Sequence, residues 1–126
     1  MPQPISSVSG PAKTYVAETL LTRGQAVTFG VTVGGCTAIT VAGQRAIGIA
    51  AENATVVGQA IKITRIGDEF SVAGSAVNTG DYVKTDAVGR LVTIAGTAGE
   101  EIVGRAESAA TGLGDTFICY VIPSVR

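Results

Sequence analysis

Runs of Val, Ile and Thr along this chain are short, and glycine stops each within a few residues, so hardly a helix-length window is free of it. That punctuation predicts strands joined by tight turns. Residues 26–33 read as one strand, turning at Gly34 and Gly35 into a second over 36–41. Asp86 and Gly89 mark a similar hairpin further on, since Asp can start a type I turn and Gly can take the left-handed conformation that a bulged hairpin needs. Residues 60–66 and 69–73, on either side of Gly67 and Asp68, predict another hairpin, with Ile61 and Ile63 on one face and Lys62 and Thr64 on the other. The last run, 116–123, carries Phe117, Ile118, Cys119, Tyr120, Val121 and Ile122 without alternation. Such a run suits a strand covered on both sides, with one face available for contact between subunits.

A longer period overlies the strands. Gly, then Gln or Asp, then any residue, then Val, Ile or Phe recurs along the chain, and among its occurrences Gly24 and Gly80, like Gly58 and Gly114, lie 56 residues apart. Laying residues 24–63 over 80–119 without a gap matches ten of forty positions, among them Gly43 with Gly99, Gly48 with Gly104, Ala50 with Ala106 and Thr55 with Thr111. Two like halves account for this. The Ala-rich segments 50–57 and 106–113 share the spacing, and each reads as one helical turn or a bridging loop. The expected fold is all-β: a small β-barrel of two pseudo-twofold-related halves over residues 24–126, preceded by an N-terminal arm over 1–23. Pro2, Pro4 and Pro11 favour an extended start to that arm. Residues 14–23 suit neither the strand nor the helix period cleanly, and their conformation stays open.

At 126 residues the chain supports one domain. Nine basic and ten acidic residues, dispersed along the chain, provide no field to gather nucleic acid or anionic lipid, and no apolar run reaches the length of a membrane span. Only 15% of residues are charged, which points to surface hidden against a partner or against other copies. Cys36 and Cys119 are too far apart for a zinc knuckle and read as structural thiols in a reducing compartment, with a disulfide as the alternative. The N-terminus has no basic start followed by an apolar stretch, so no signal peptide is expected and the chain is expected to be made in the cytoplasm.

The side chains are poor in chemistry. The absence of His removes Ser/His/Asp and Cys/His nucleophilic systems and the usual mixed zinc sites. The acidic pairs Asp68 with Glu69 and Glu100 with Glu101 are flanked by glycine and read as solvated turns. Gly112 and Gly114 lack the Lys-Ser/Thr ending of a phosphate loop, and Asp81 and Asp86 enclose a strand instead of a calcium loop. No catalytic residue, metal or cofactor is expected.

The stretch Gly43-Gln44-Arg45-Ala46-Ile47-Gly48-Ile49-Ala50, then Gly58-Gln59, Gly80-Asp81-Tyr82-Val83, Asp86 to Val92, Ile102 to Ala106 and Gly114 to Phe117, resembles in order and spacing the capsid cement, or head decoration, proteins of tailed bacteriophages. The likeness covers about residues 40–123. It implies a β-rich protein without an active site that binds the major capsid protein on the outside of an assembled head, as a homotrimer. On that reading Ile5, Val8, Tyr15, Val16, Leu20 and Leu21 are candidate capsid contacts of the arm, and Tyr82, Phe117, Tyr120 and Ile122 are candidate trimer contacts. Arg45 and Arg105 are candidates for ion pairs between subunits. The rival readings are a nucleic-acid-binding barrel, which wants a basic groove with aromatics, and a carbohydrate-binding module or small hydrolase with a cleft lined by Asp81, Asp86 or Glu107. A minor virion structural role is a further alternative.

Overall fold

In the computed structural model, which describes residues 12–125, the chain forms ten strands and, among the described residues, no helix. The first half contributes β1 (Ala12–Ala17), β2 (Ala26–Phe29), β3 (Gly35–Ala38), β4 (Gly48–Ala50) and β5 (Ala60–Thr64). These close into a barrel in the order β1-β3-β2-β4-β5, with β5 returning antiparallel to β1 and β1 running parallel to β3. The second half repeats the series as β6 (Gly67–Val72), β7 (Tyr82–Thr85), β8 (Leu91–Thr93), β9 (Glu101–Ala106) and β10 (Thr116–Val125), in the sheet order β6-β10-β9-β7-β8. A parallel bridge from Ala73 to Leu91 joins the two outer strands of that sheet. The repeat extends to single contacts: Leu21 bridges Ala54 as Val77 bridges Ala110, each pair 56 residues from its counterpart.

The recurring Gly-Gln/Asp motif now has a physical basis. Gly24, Gly43, Gly58, Gly80, Gly99 and Gly114 each occupy the third position of a four-residue turn, with φ between 77° and 95°, and the turn closes by a backbone hydrogen bond from the residue after the glycine. A positive φ there is the type II requirement that glycine meets without steric cost. The following Gln, Asp or Glu turns its side-chain oxygen back onto the N–H groups that open the turn: Gln25 on Thr22, Gln59 on Thr55, Asp81 on Asn78 and Asp115 on Thr111. The turns at Gln44 and Glu100 do the same. Two residues beyond the acceptor, Val27, Ile61, Val83 and Phe117 are buried. One motif thus ends a loop, satisfies its backbone and starts the next strand.

Several expectations are corrected. Residues 12–17 form a strand of the barrel: β1 lies between β3 and β5, and Tyr15 and Leu21 are buried in the first barrel with Val27, Cys36, Ile61 and Ile63. The stretch 12–23 is therefore part of the barrel. Residues 60–73 are not a hairpin. Both sides of β5 are already paired, to β1 and β4, so β6 instead opens the second sheet against β10. Strand β2 stops at Phe29, leaving residues 30–34 as a loop, and the Ala-rich segments are loops anchored by the Ala54 and Ala110 bridges. Strand β10 alternates after all, with Phe117, Cys119 and Val121 buried and Ile118, Tyr120 and Ile122 exposed.

One buried cluster fills the first barrel, and a second runs from the interior of the other half across the joint to Ala26, Ile39, Ala46 and Ile49. The backbone also crosses the joint. Ala26 N–H donates to Gly89 O at 2.8 Å, Gly43 N–H to Thr85 O at 2.8 Å and Val72 N–H to Gly24 O at 3.2 Å. Strand spacing inside each half is set by glycine: a Cβ on Gly48 would strike the Thr64 carbonyl oxygen, and one on the equivalent Gly104 the Tyr120 carbonyl oxygen.

Candidate functional site

Two apolar faces and a cleft lie on the surface of the described residues. On the outer face of the second sheet, Asp68, Tyr120, Arg105 and Tyr82 stand side by side across β6, β10, β9 and β7. The Arg105 guanidinium lies over the Tyr82 ring, 5.8 Å from its centroid. Because alternate residues of a strand share a face, Ile118 and Ile122 flank Tyr120 on the same outer side of β10, and both are exposed. Three of the four candidate trimer contacts, Tyr82, Tyr120 and Ile122, are therefore gathered on one face. Phe117 is not among them, since it points into the core.

The second face is the loop end of the first barrel. Val31 is 96% and Val33 100% exposed, and Phe29 beside them is largely exposed, its ring 6.5 Å from that of buried Tyr15. The loop is held firmly. Glu18 reaches across from the end of β1 and accepts the N–H groups of Val31 at 3.0 Å and Thr32 at 2.9 Å, and its carboxylate fills the space that side chains at residues 30 and 35 would need, so both are glycine. Those bonds from Thr32 and Val31 hold the Glu18 carboxyl below its ordinary value. Sequence reading missed this face because Val31 and Val33 continue a β-branched run; the signal was the bracketing of that run by Gly30 and Gly34.

The cleft lies at the joint between the halves, about 240 Å³ in volume and lined by Thr22, Arg23, Gln25, Val72, Val88 and Arg90. Its two arginines are engaged: Arg23 stacks on Phe70 at 4.5 Å, and Arg90 Nε donates to Asp86 at 3.0 Å. Asp81, Asp86 and Glu107 do not line it. Asp81 and Asp86 hold turns, the latter accepting the N–H groups of Val88 and Arg90. Among the described residues no three of Cys, Asp and Glu gather to hold a metal ion.

The remaining candidates are dispersed. Val16 and Leu20 are exposed on and just beyond β1, whereas Ile5 and Val8 lie outside the described residues. Arg45 pairs within the chain, with Glu101 at 3.2 Å. Glu100 caps the loop before β9, where the Lys84 ammonium at 2.7 Å and the N–H groups of Ala95, Gly96 and Thr97 draw its carboxyl down to about 2. Cys36 and Cys119 are both free and buried; burial raises both thiols, Cys119 to about 12.

Fold and surface together define a tandem of two alike five-stranded β units with apolar faces at separate places. No family model matches the chain, and no curated protein matches it by sequence. Among solved structures, the N base of the head fiber gp8.5 of bacteriophage phi29 superposes with a TM-score of 0.68 at 14% identity, over 87% of this chain and 92% of that one. The two share a fold.

Proposed function

We propose that the chain is a structural protein of a bacteriophage virion, and more specifically a capsid decoration protein that binds the outer surface of the head as a homotrimer and stabilises the assembled shell. The observation that carries this is the fold shared, over nearly the whole of both chains, with the base of a phage head fiber. The surface agrees with a role in assembly: large apolar side chains, including Val31, Val33, Leu20, Tyr82 and Ile122, face outward. On this reading the chain carries out no reaction. A protein that binds the assembled shell and not its separated subunits stabilises it by mass action, and several weak contacts on one trimer add as avidity of about 10² to 10⁴.

The test is co-sedimentation of the full chain with empty heads, followed by heating. Saturable pelleting and a higher temperature for shell disruption are expected. A chain that stays in the supernatant at every concentration overturns the proposal. Truncations belong before Ala12, because removal of residues 1–23 also removes β1 from the barrel.

A further inference from the structure

We propose that copies of this chain join head to tail: the 30–34 loop end of one copy's first barrel seats on the face formed by Tyr82, Arg105 and Tyr120 in the second half of the next copy. This rests on the reading of the chain as a multi-copy coat protein and identifies the contact by which its copies meet.

The internal joint between the halves supplies the pattern for this contact. In the first half, Ala26, Ile49 and Thr64 form a row across β2, β4 and β5, turned away from the barrel interior. The second half covers it, and all three are buried. Counting 56 residues on, the equivalent row is Tyr82, Arg105 and Tyr120 across β7, β9 and β10. That row is exposed, with Tyr82 at 45%. Each half thus has the same outer face, covered in one and open in the other.

The covering side behaves in the same way. The second half seats on the first through its 86–90 loop, where Ala26 N–H donates to Gly89 O and Gln25 Nε2 to Val88 O at 3.1 Å. Its β6 adds Phe70 and Val72, which lie within about 3 Å of where a Gly24 side chain would begin. The equivalents in the first half are the 30–34 loop and β1, and these present Val31, Val33 and Val16 to solvent. Both partners of the joint therefore occur a second time, without such a partner among the described residues and on different halves. A contact between two unlike faces is heterologous, and repeated between copies it builds a ring where the rotation closes.

The contact between copies is not a replica of the internal one. Gly89, whose Cβ would come 2.6 Å from Gln25 Cγ, is replaced by Val33, and Ala26 by Tyr82. Larger side chains on both sides keep the backbones further apart, so valines packing on tyrosine rings take the place of the backbone hydrogen bonds. Tyr and Arg are the residue types that dominate binding energy at protein interfaces. The Glu18 hydrogen bonds fix the loop beforehand, which lowers the ordering cost of docking.

The test uses the full chain and two surface variants, with mass measured by sedimentation in the absence of phage heads. Val31→Lys with Val33→Lys removes the seating loop, and Tyr82→Ala with Arg105→Ala removes the receiving face. Matching urea midpoints establish that both variants are folded. The wild-type chain is expected at a multiple of the single-chain mass, and each variant alone at the mass of one chain. An equimolar mixture of the variants should give twice that mass, because only one intact joint can form between them. A monomeric wild type, a variant that still assembles, or a mixture that stays monomeric overturns the proposal. Head binding is measured separately, so either reading can fail while the other stands.

Discussion

Replacing Gly104 with alanine should cost more than the same change at glycines with open space around them, and the reason is steric. A Cβ there runs into the Tyr120 carbonyl oxygen, 3.0 Å from the carbonyl carbon and 2.9 Å from Cys119 Sγ. The obstacle is backbone of β10, held in register with β9 at Tyr120 and Val121, so it cannot rotate aside. Overpacking of this kind costs about 1–3 kcal/mol, and an obstacle made of backbone places Gly104→Ala near 3 kcal/mol. Two controls separate the possible causes. Gly114 has open space around it but φ of 84°, so Gly114→Ala should lose only the left-handed penalty of about 1–2 kcal/mol. Gly112 has open space and no positive φ, and Val56 stands at the equivalent position of the first half; Gly112→Ala should stabilise by about 0.4–1 kcal/mol through the unfolded chain. Urea unfolding reads all three. With a slope of about 1–3 kcal/mol per M, the Gly104→Ala midpoint falls by about 1–3 M. If Gly104→Ala unfolds with or after Gly114→Ala, the close approach of β9 to β10 does not control stability and the argument fails.

Glu18, Glu100 and Asp115 are all held below their ordinary carboxyl values by hydrogen bonds of the folded state, Glu100 to about 2. Their stabilisation is complete above the unfolded value and is lost as pH falls through the folded one, so the urea midpoint should drop steadily between about pH 4.5 and pH 2; a flat midpoint over that window contradicts the assignment. Glu18→Gln replaces one of two acceptor oxygens with a donor, so amide exchange at Val31 and Thr32 should accelerate while β5 stays protected, whereas unchanged exchange would show that the loop is fixed by other contacts. Neither thiol should react with an aromatic disulfide at pH 8 in the native state, since both are buried and raised, and both should react in denaturant. Rapid native labelling of Cys119 would show that β10 opens.

Much of the strand pattern was legible because this chain marks its turns chemically. A glycine followed by an acceptor side chain is a local signal whose partners lie within four residues, and the 56-residue spacing carried over into equivalent strands and bridges. The turns at Gly43 and Gly99 were less visible, because Ala46 takes the large apolar position in the first and Glu100 the acceptor position in the second. What local signals do not encode is which strand edge remains free. The residues around Gly67 have turn chemistry, yet β5 is paired on both sides before β6 begins. Burial across β1 was hidden for a related reason: Tyr15 and Leu21 acquire their environment from β5 and from Ala54, some forty residues later. On the candidate site, Tyr82, Tyr120 and Ile122 were singled out as candidate subunit contacts, but their exposure and their common face come from the structure, where β9 brings the first two together through Arg105.

Among the described residues, the strands of the first barrel lie within 12–64 and those of the second sheet within 67–125, with no strand exchanged between them. Folding can therefore follow synthesis: the leading unit has every pairing partner it needs once Thr64 has left the ribosome. Until the trailing unit arrives, Ala26 and Ile49 are bare, and the nascent chain carries an adhesive patch that its own next segment, made moments later, is the nearest body to cover.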